Sequence, residues 1–147
     1  MDVVGNNPEY IVDIDESNAA RWLIEESQQR PVVIDFWASW CGPCRRSIPV
    51  LNELADAYEG RVRVYGINVE PMEPMAVREA HERLGASFPS LHDPGQTIQQ
   101  AYAVTALPTL FVIDGDGQLR HTERGVPDLS DLSSVLDELL SANPQAR

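Results

Sequence analysis

Apolar and polar positions along this chain follow two periods, and the switches between them mark its elements. Tyr10-Ile11-Val12-Asp13-Ile14 alternates weakly and predicts a short strand. Asp15 then offers an N-cap to a helix running through Trp22, Leu23 and Ile24. Residues 32–37 form a near-continuous β-branched and aromatic run, the pattern of a central strand covered on both faces. From 43 to 58, Ile48, Leu51, Ala55 and Tyr58 fall along one side of a long helix. Pro49 inside it removes a backbone donor and predicts a kink. Residues 62–69 predict the next strand, 73–84 a charged amphipathic helix, 88–92 a short extended piece and 97–102 another helix. Thr109–Ile113 and residues 118–123 flank Asp114-Gly115-Asp116-Gly117, a strong hairpin signal. Leu129, Leu132, Val135, Leu136, Leu139 and Leu140 mark a closing helix.

The order is therefore β-α-β-α-β, a further helical piece, then β-β-α. Its first half supports right-handed parallel crossovers, and the Asp-Gly turn supplies an antiparallel edge, so the class is an α/β sandwich. Neither a repeat nor a heptad array interrupts this order. The elements fit a single domain over 9–142, with loose ends at 1–8 and 143–147.

Composition narrows the function classes. A net charge of −12 argues against nucleic acid or an anionic membrane surface as partner. Two cysteines in 147 residues exclude a disulfide-framework mini-protein. Residues 1–20 hold neither a basic n-region nor an apolar h-region, and no later apolar run has the length of a transmembrane helix. The expectation is a cytoplasmic monomer, or a periplasmic or otherwise extracytoplasmic one if the sequence is a piece of a longer protein.

Both cysteines lie in Trp40-Cys41-Gly42-Pro43-Cys44, directly after the run that ends in Trp37. A Cys-x-x-Cys pair where a buried strand meets a helix suits thiol–disulfide exchange: the strand fixes the site, the turn exposes one sulfur, and the helix start stabilises its thiolate. With Cys41 at the N-cap, its sulfur sits over unpaired N–H groups. Pro43 has no N–H, so the Cys44 amide is the expected donor to it. In such sites the thiol pKa falls from about 8.5 to about 7. Cys41 is thus the candidate nucleophile and Cys44, one turn in, the resolving thiol. Trp40 offers a flat apolar surface to a substrate. The bland readings are weaker. A static disulfide with this spacing closes a tiny loop and gains little stability. A zinc site needs a second ligand pair, which His81, His92 and His121 do not supply, and these histidines are expected on polar surface or in loops.

Asp35 interrupts an apolar strand where an unpaired carboxylate is costly, so burial should raise its pKa and make it a proton acceptor for Cys44. The competing reading is a strand carboxylate satisfied by backbone donors. Leu107-Pro108-Thr109 places a proline at the head of a strand, where it cannot join the ladder. A cis bond there would expose the Leu107 backbone to an incoming peptide. Arg45 and Arg46 either touch substrate, help lower the Cys41 pKa, or are simply solvated.

Phe36-Trp37-Ala38-Ser39-Trp40-Cys41-Gly42-Pro43-Cys44-Arg45 with Pro49, Ala106-Leu107-Pro108-Thr109-Leu110, and Gly125 before the last helix together resemble the thioredoxin family across 9–142. The resemblance implies a thioredoxin fold, a central mixed β-sheet flanked by helices. It also implies Cys41 as attacking and Cys44 as resolving thiol, Asp35 as the buried acid, and a cis Pro108. The implied binding groove is lined by Trp40, Gly42, Pro43, Ala106, Leu107, Pro108 and Gly125. Two departures stand out. The 63 residues between Cys44 and Pro108 exceed plain thioredoxin, and the surplus at about 70–96 is similar to the helix-plus-strand insertion of TlpA/ResA-type oxidoreductases. Those proteins are usually exported reductants, often in cytochrome c maturation. The ResA-type glutamate three residues after the second cysteine is Ser47 here, and the lysine that thioredoxin sets near its buried acid is Gly66.

The expected activity is reduction of protein disulfides, with electrons from an upstream disulfide reductase and with no metal or organic cofactor. The exported ResA-type reductant is the alternative address for the same chemistry. A client-binding holdase, with redox incidental, is the alternative of another class. A thiol peroxidase lacks its Thr-x-x-Cys motif.

Overall fold

The computed structural model describes residues 11–142. The expected loose ends at 1–8 and 143–147, and the Tyr10 start of the first strand, lie outside the described residues. Six strands form one sheet: β1 (Ile11–Asp13), β2 (Val32–Trp37), β3 (Arg63–Asn68), β4 (Ser90–His92), β5 (Thr109–Ile113) and β6 (Leu119–Arg124). Their spatial order is β1-β4-β3-β2-β5-β6. β1, β4, β3 and β2 run parallel, whereas β5 and β6 add on antiparallel. Four helices accompany them: α1 (Gly42–Ala57), α2 (Pro74–Leu84), α3 (Thr97–Ala101) and α4 (Leu129–Ala142). Pro49 lies inside α1, which continues through it as one helix. The first predicted helix contains a π-wound stretch over Arg21–Glu25, which apolar spacing does not signal. Asp15 turns the chain into it by accepting the Ser17 amide at 2.8 Å and the Ser17 hydroxyl at 2.6 Å.

Every residue of β2 and β3 is buried, because helices cover both faces of the sheet. Val33 packs with Ile48, Leu51 and Leu54 of α1 and Leu132 and Leu136 of α4. Val32, Ile34 and Phe36 point the other way, toward Trp22 and Leu23, Val77 of α2 and Ile98 of α3. The inserted segment is part of this scheme. Its strand β4 lies between β1 and β3, and its helix α2 buries Val77 and Ala80 in the second core.

Two of the histidines expected at the surface are in the interior. His81 on α2 is buried, with Nε2 against the Phe88 carbonyl oxygen at 2.9 Å, and burial holds its pKa below the ordinary histidine value. His92 on β4 is fully buried. Backbone acceptors satisfy both rings, so the polar character that suggested exposure costs little inside. His121 on β6 is half-buried beside Glu123.

Asp35 is the costly residue of this core. It lies on β2 between Gly66 of β3 and Leu110 of β5, only 1% exposed, and neither carboxylate oxygen has a hydrogen-bond partner. The reading of a carboxylate satisfied by backbone donors therefore fails. Desolvation pushes its pKa from 3.8 up to about 8. The cross-strand neighbour Gly66 has no room for a side chain. A Cβ there would stand 2.5 Å from Ser90 Oγ and 2.9 Å from Trp37 Nε1, two atoms that are themselves hydrogen-bonded at 3.1 Å. The buried Trp37–Ser90 pair fills the space that a lysine at this position would need to leave its strand.

These observations carry two stability predictions. Because the native carboxyl of Asp35 holds its proton up to about pH 8, its contribution is fully present below pH 3.8 and is lost as pH rises toward 8. The total loss is roughly 6 kcal/mol at most. Asp35→Asn is therefore expected to be more stable than the parent at pH 8–9 and to lose that advantage near pH 4. Urea unfolding across this range checks it, and parallel curves would overturn the assignment. Gly66→Ala should destabilise by about 1–3 kcal/mol through overpacking, read as a lower urea midpoint at unchanged slope.

Candidate functional site

The site forms where β2 ends and α1 begins. Ala38, Ser39 and Trp40 bridge the two, and Cys41 is the N-cap of α1, in extended backbone conformation with φ −88° and ψ 108°. Its Sγ accepts the Cys44 amide at 3.2 Å, with proline occupying the first turn, as the sequence predicts. Cys41 and Cys44 are joined as a disulfide with Cα atoms 5.2 Å apart. The turn does not leave one sulfur open as expected: Cys41 is only 3% exposed and Cys44 not at all. Both pack into the core on the α2 and α3 side. Trp40, by contrast, is 71% exposed and stands out beside it.

The other expected site residues gather at the same end of the sheet. The Leu107-Pro108 bond is cis and leads directly into β5, the neighbour of β2. Ala106 is exposed, Leu107 half-buried and Pro108 buried. The Ala106 carbonyl is held by Thr109 Oγ1 at 2.6 Å. Gly125, with φ +86°, donates its amide to the Pro108 carbonyl at 2.9 Å, a left-handed conformation that suits glycine. Gly42 is exposed and Pro43 half-buried at the head of α1. Asp35 lies further down β2, on the face that α1 covers. Arg45 is exposed but not merely solvated, since its Nη2 donates to the Ser39 carbonyl at 3.1 Å.

One part of the site was not legible beforehand. Glu70, just past β3, is buried and fixes the loop that carries the cysteines. Its Oε1 accepts the Ser39 amide at 2.7 Å and Asn68 Nδ2 at 2.9 Å, and its Oε2 accepts the Ser39 hydroxyl at 2.8 Å. The Glu70 carbonyl in turn accepts His92 Nε2 at 2.7 Å, and His92 Nδ1 meets Asp13 Oδ1 at 2.9 Å. The inserted strand β4 thus braces the active-site loop. A usable signal existed: an acidic residue directly after a buried parallel strand, at the strand ends where open α/β sheets place their sites.

Among the described residues no cluster of three or more His, Cys, Asp or Glu side chains is placed to hold a metal ion, and no helix is long and apolar enough to cross a membrane.

Comparison with known proteins fits this geometry. Residues 16–139 match the Redoxin family. The thiol-disulfide oxidoreductase ResA of Geobacillus thermodenitrificans is 31% identical over 134 residues, covering 90% of this chain and 75% of that protein. A putative thiol:disulfide interchange protein DsbE from Chlorobium tepidum superposes with a TM-score of 0.68 at 28% identity, covering 80% of this chain and 83% of that one. The pneumococcal exposed lipoprotein thioredoxin Etrx1 of Streptococcus pneumoniae gives a TM-score of 0.71 at 26% identity, covering 79% and 90%. These relatives correct the expectation of a cytoplasmic protein. ResA- and DsbE-type oxidoreductases and an exposed lipoprotein point away from the cytoplasm. That expectation rested on the composition of residues 1–20, whereas the comparison rests on the domain itself. By sequence span and by fold, the chain belongs to the Redoxin family and is a thioredoxin-like thiol–disulfide oxidoreductase.

Proposed function

We propose that the protein reduces protein disulfides outside the cytoplasm, with Cys41 attacking and Cys44 resolving. The observation that carries this reading is the Cys41 sulfur at the N-cap of α1, accepting the Cys44 amide at 3.2 Å. In the dithiol form that donor and the helix dipole favour the Cys41 thiolate. The thiolate attacks one substrate sulfur, a mixed disulfide forms, the substrate S–S bond breaks, and the released substrate thiolate takes up a proton. Cys44 then loses its proton, which passes through a bridging water to the Asp35 carboxylate, and attacks the Cys41 sulfur. The Cys41–Cys44 disulfide closes and the second substrate thiol leaves. Two electrons have passed to the substrate, and an upstream disulfide reductase supplies two more, with two protons, to restore the Cys41–Cys44 dithiol.

Asp35 suits the acceptor role because a carboxyl raised to about 8 is basic enough to take a thiol proton near neutrality. Unlike the arrangement in thioredoxin, no lysine accompanies it, since Gly66 and the Trp37–Ser90 pair occupy that place. For substrate, the exposed Trp40 and Gly42, the half-buried Pro43 and the 106–108 segment beside Gly125 offer a groove in which the Leu107 backbone pairs with an extended peptide. The Gly-Pro dipeptide favours a reducing potential, near thioredoxin's at about −270 mV rather than the −120 mV of a strong oxidant.

Three measurements test this reading. Equilibration with glutathione and dithiothreitol buffers should give a midpoint well below glutathione's own, whereas a value tens of millivolts above it would make the protein an oxidant. Cys44→Ser should accumulate a mixed disulfide with client protein that Cys41→Ser does not form, visible on non-reducing gels. The resolution rate should rise as pH passes through about 8 and the Asp35 carboxyl ionises. Asp35→Ala should slow it by about tenfold or more and remove that inflection. An unchanged pH profile would exclude Asp35 from proton transfer.

A further inference from the structure

The flank of the active-site loop opposite the cis-proline segment holds a feature that the disulfide chemistry does not use. A cavity of about 340 Å³ opens there, lined by Ser39 of the loop, Arg45 of α1, and Ala80, Arg83 and Leu84 of the inserted helix α2. Its floor is rigid. Ser39 is held by the buried Glu70 through its amide and hydroxyl, and by Arg45 through its carbonyl. Two arginines from different elements, Arg45 and Arg83, line the cavity.

Their availability is unusual for a chain with 23 acidic and 11 basic residues. Arg30 and Arg63 pair with Glu26, Arg78 with Glu82, and Arg120 with Asp114. Arg21 and Arg61 lie over the rings of Trp22 and Tyr58. Among the described residues, only Arg45, Arg46, Arg83 and Arg124 are left without a carboxylate or ring partner, and two of these four line this cavity. Arg83 sits in the last turn of α2, where a cation also suits the helix dipole. That role does not require a cavity shared with Ser39 of the active-site loop.

We propose that Arg83 and Arg45 form a subsite for an acidic side chain of the protein whose disulfide is being exchanged. The inference rests on the oxidoreductase reading and adds its substrate class. A peptide laid along the 106–108 segment enters from the β5 side of β2. Continuing across Cys41, it reaches the β3 side, where the cavity lies. A carboxylate there meets a patch of two arginines, whose planar guanidinium donors suit bidentate binding, on a protein that is strongly negative as a whole. Attraction at this patch offsets the general repulsion that an acidic client would feel, which makes the insertion a selector of partners.

The test uses the whole protein in its dithiol form and disulfide-bonded peptides that differ only in having Glu, Gln or Lys at positions two to four residues from the cysteine. Stopped-flow reduction rates give the Glu-to-Gln ratio, expected at about fivefold in low salt and falling toward one in 0.5 M salt. Arg83→Gln should bring the ratio near one, and Arg83→Glu should invert it so that the Lys peptide reacts faster than the Glu peptide. Melting curves of both variants report whether the fold is retained. A ratio of one in the parent, or a preference that survives both variants unchanged, would overturn the subsite. Failure of the parent to reduce any of the peptides would instead strike the oxidoreductase reading beneath it.

Discussion

Burial of β2 on both faces is the constraint from which the site follows. With α1 and α4 on one side and α2 and α3 on the other, the strand has no water to leave into until its C-terminal end. The chain emerges there through Ala38, Ser39 and Trp40 and starts α1 at once, so Cys41 must sit over the free amides of a first turn. A long loop at this point would lose that placement, and with it the physical reason for a stabilised thiolate.

The same burial gives Asp35 its character. A carboxyl group without any hydrogen-bond partner in the middle of a sheet weakens the fold near neutral pH, a cost that the apolar burial around it must offset. Gly66 and the Trp37–Ser90 hydrogen bond show how tightly that region is filled. In the proposed mechanism proton handling and stability are opposed through one residue, as is common where function requires a local conflict.

The inserted segment 70–96 joins the architecture at two levels. Its strand β4 takes an internal place in the sheet, and its His92 supports Glu70, which grips Ser39. Its helix α2 covers a core face and brings Arg83 to the edge of the active-site loop. An element that both braces the loop and lines its flank is well placed to couple partner recognition to the geometry of the disulfide.

The sequence alone determined much of this. The periodicity located the elements of the fold, since a strand buried on both faces must be continuously apolar and the Asp-Gly turn forces a hairpin. The Cys-Gly-Pro-Cys spacing placed both sulfurs on one helix start, because Pro43 and the N-cap act within a single turn. Tertiary structure alone decided the rest. Asp35 has no partner, His81 and His92 are interior, Glu70 holds Ser39, and Gly66 is enforced by Ser90 and Trp37. Each of these depends on groups separated widely along the chain and brought together by strand register and helix packing. Local pattern carries no information about which distant side chain fills a given space, and so the charge, burial and grip of these residues become legible only in the folded chain.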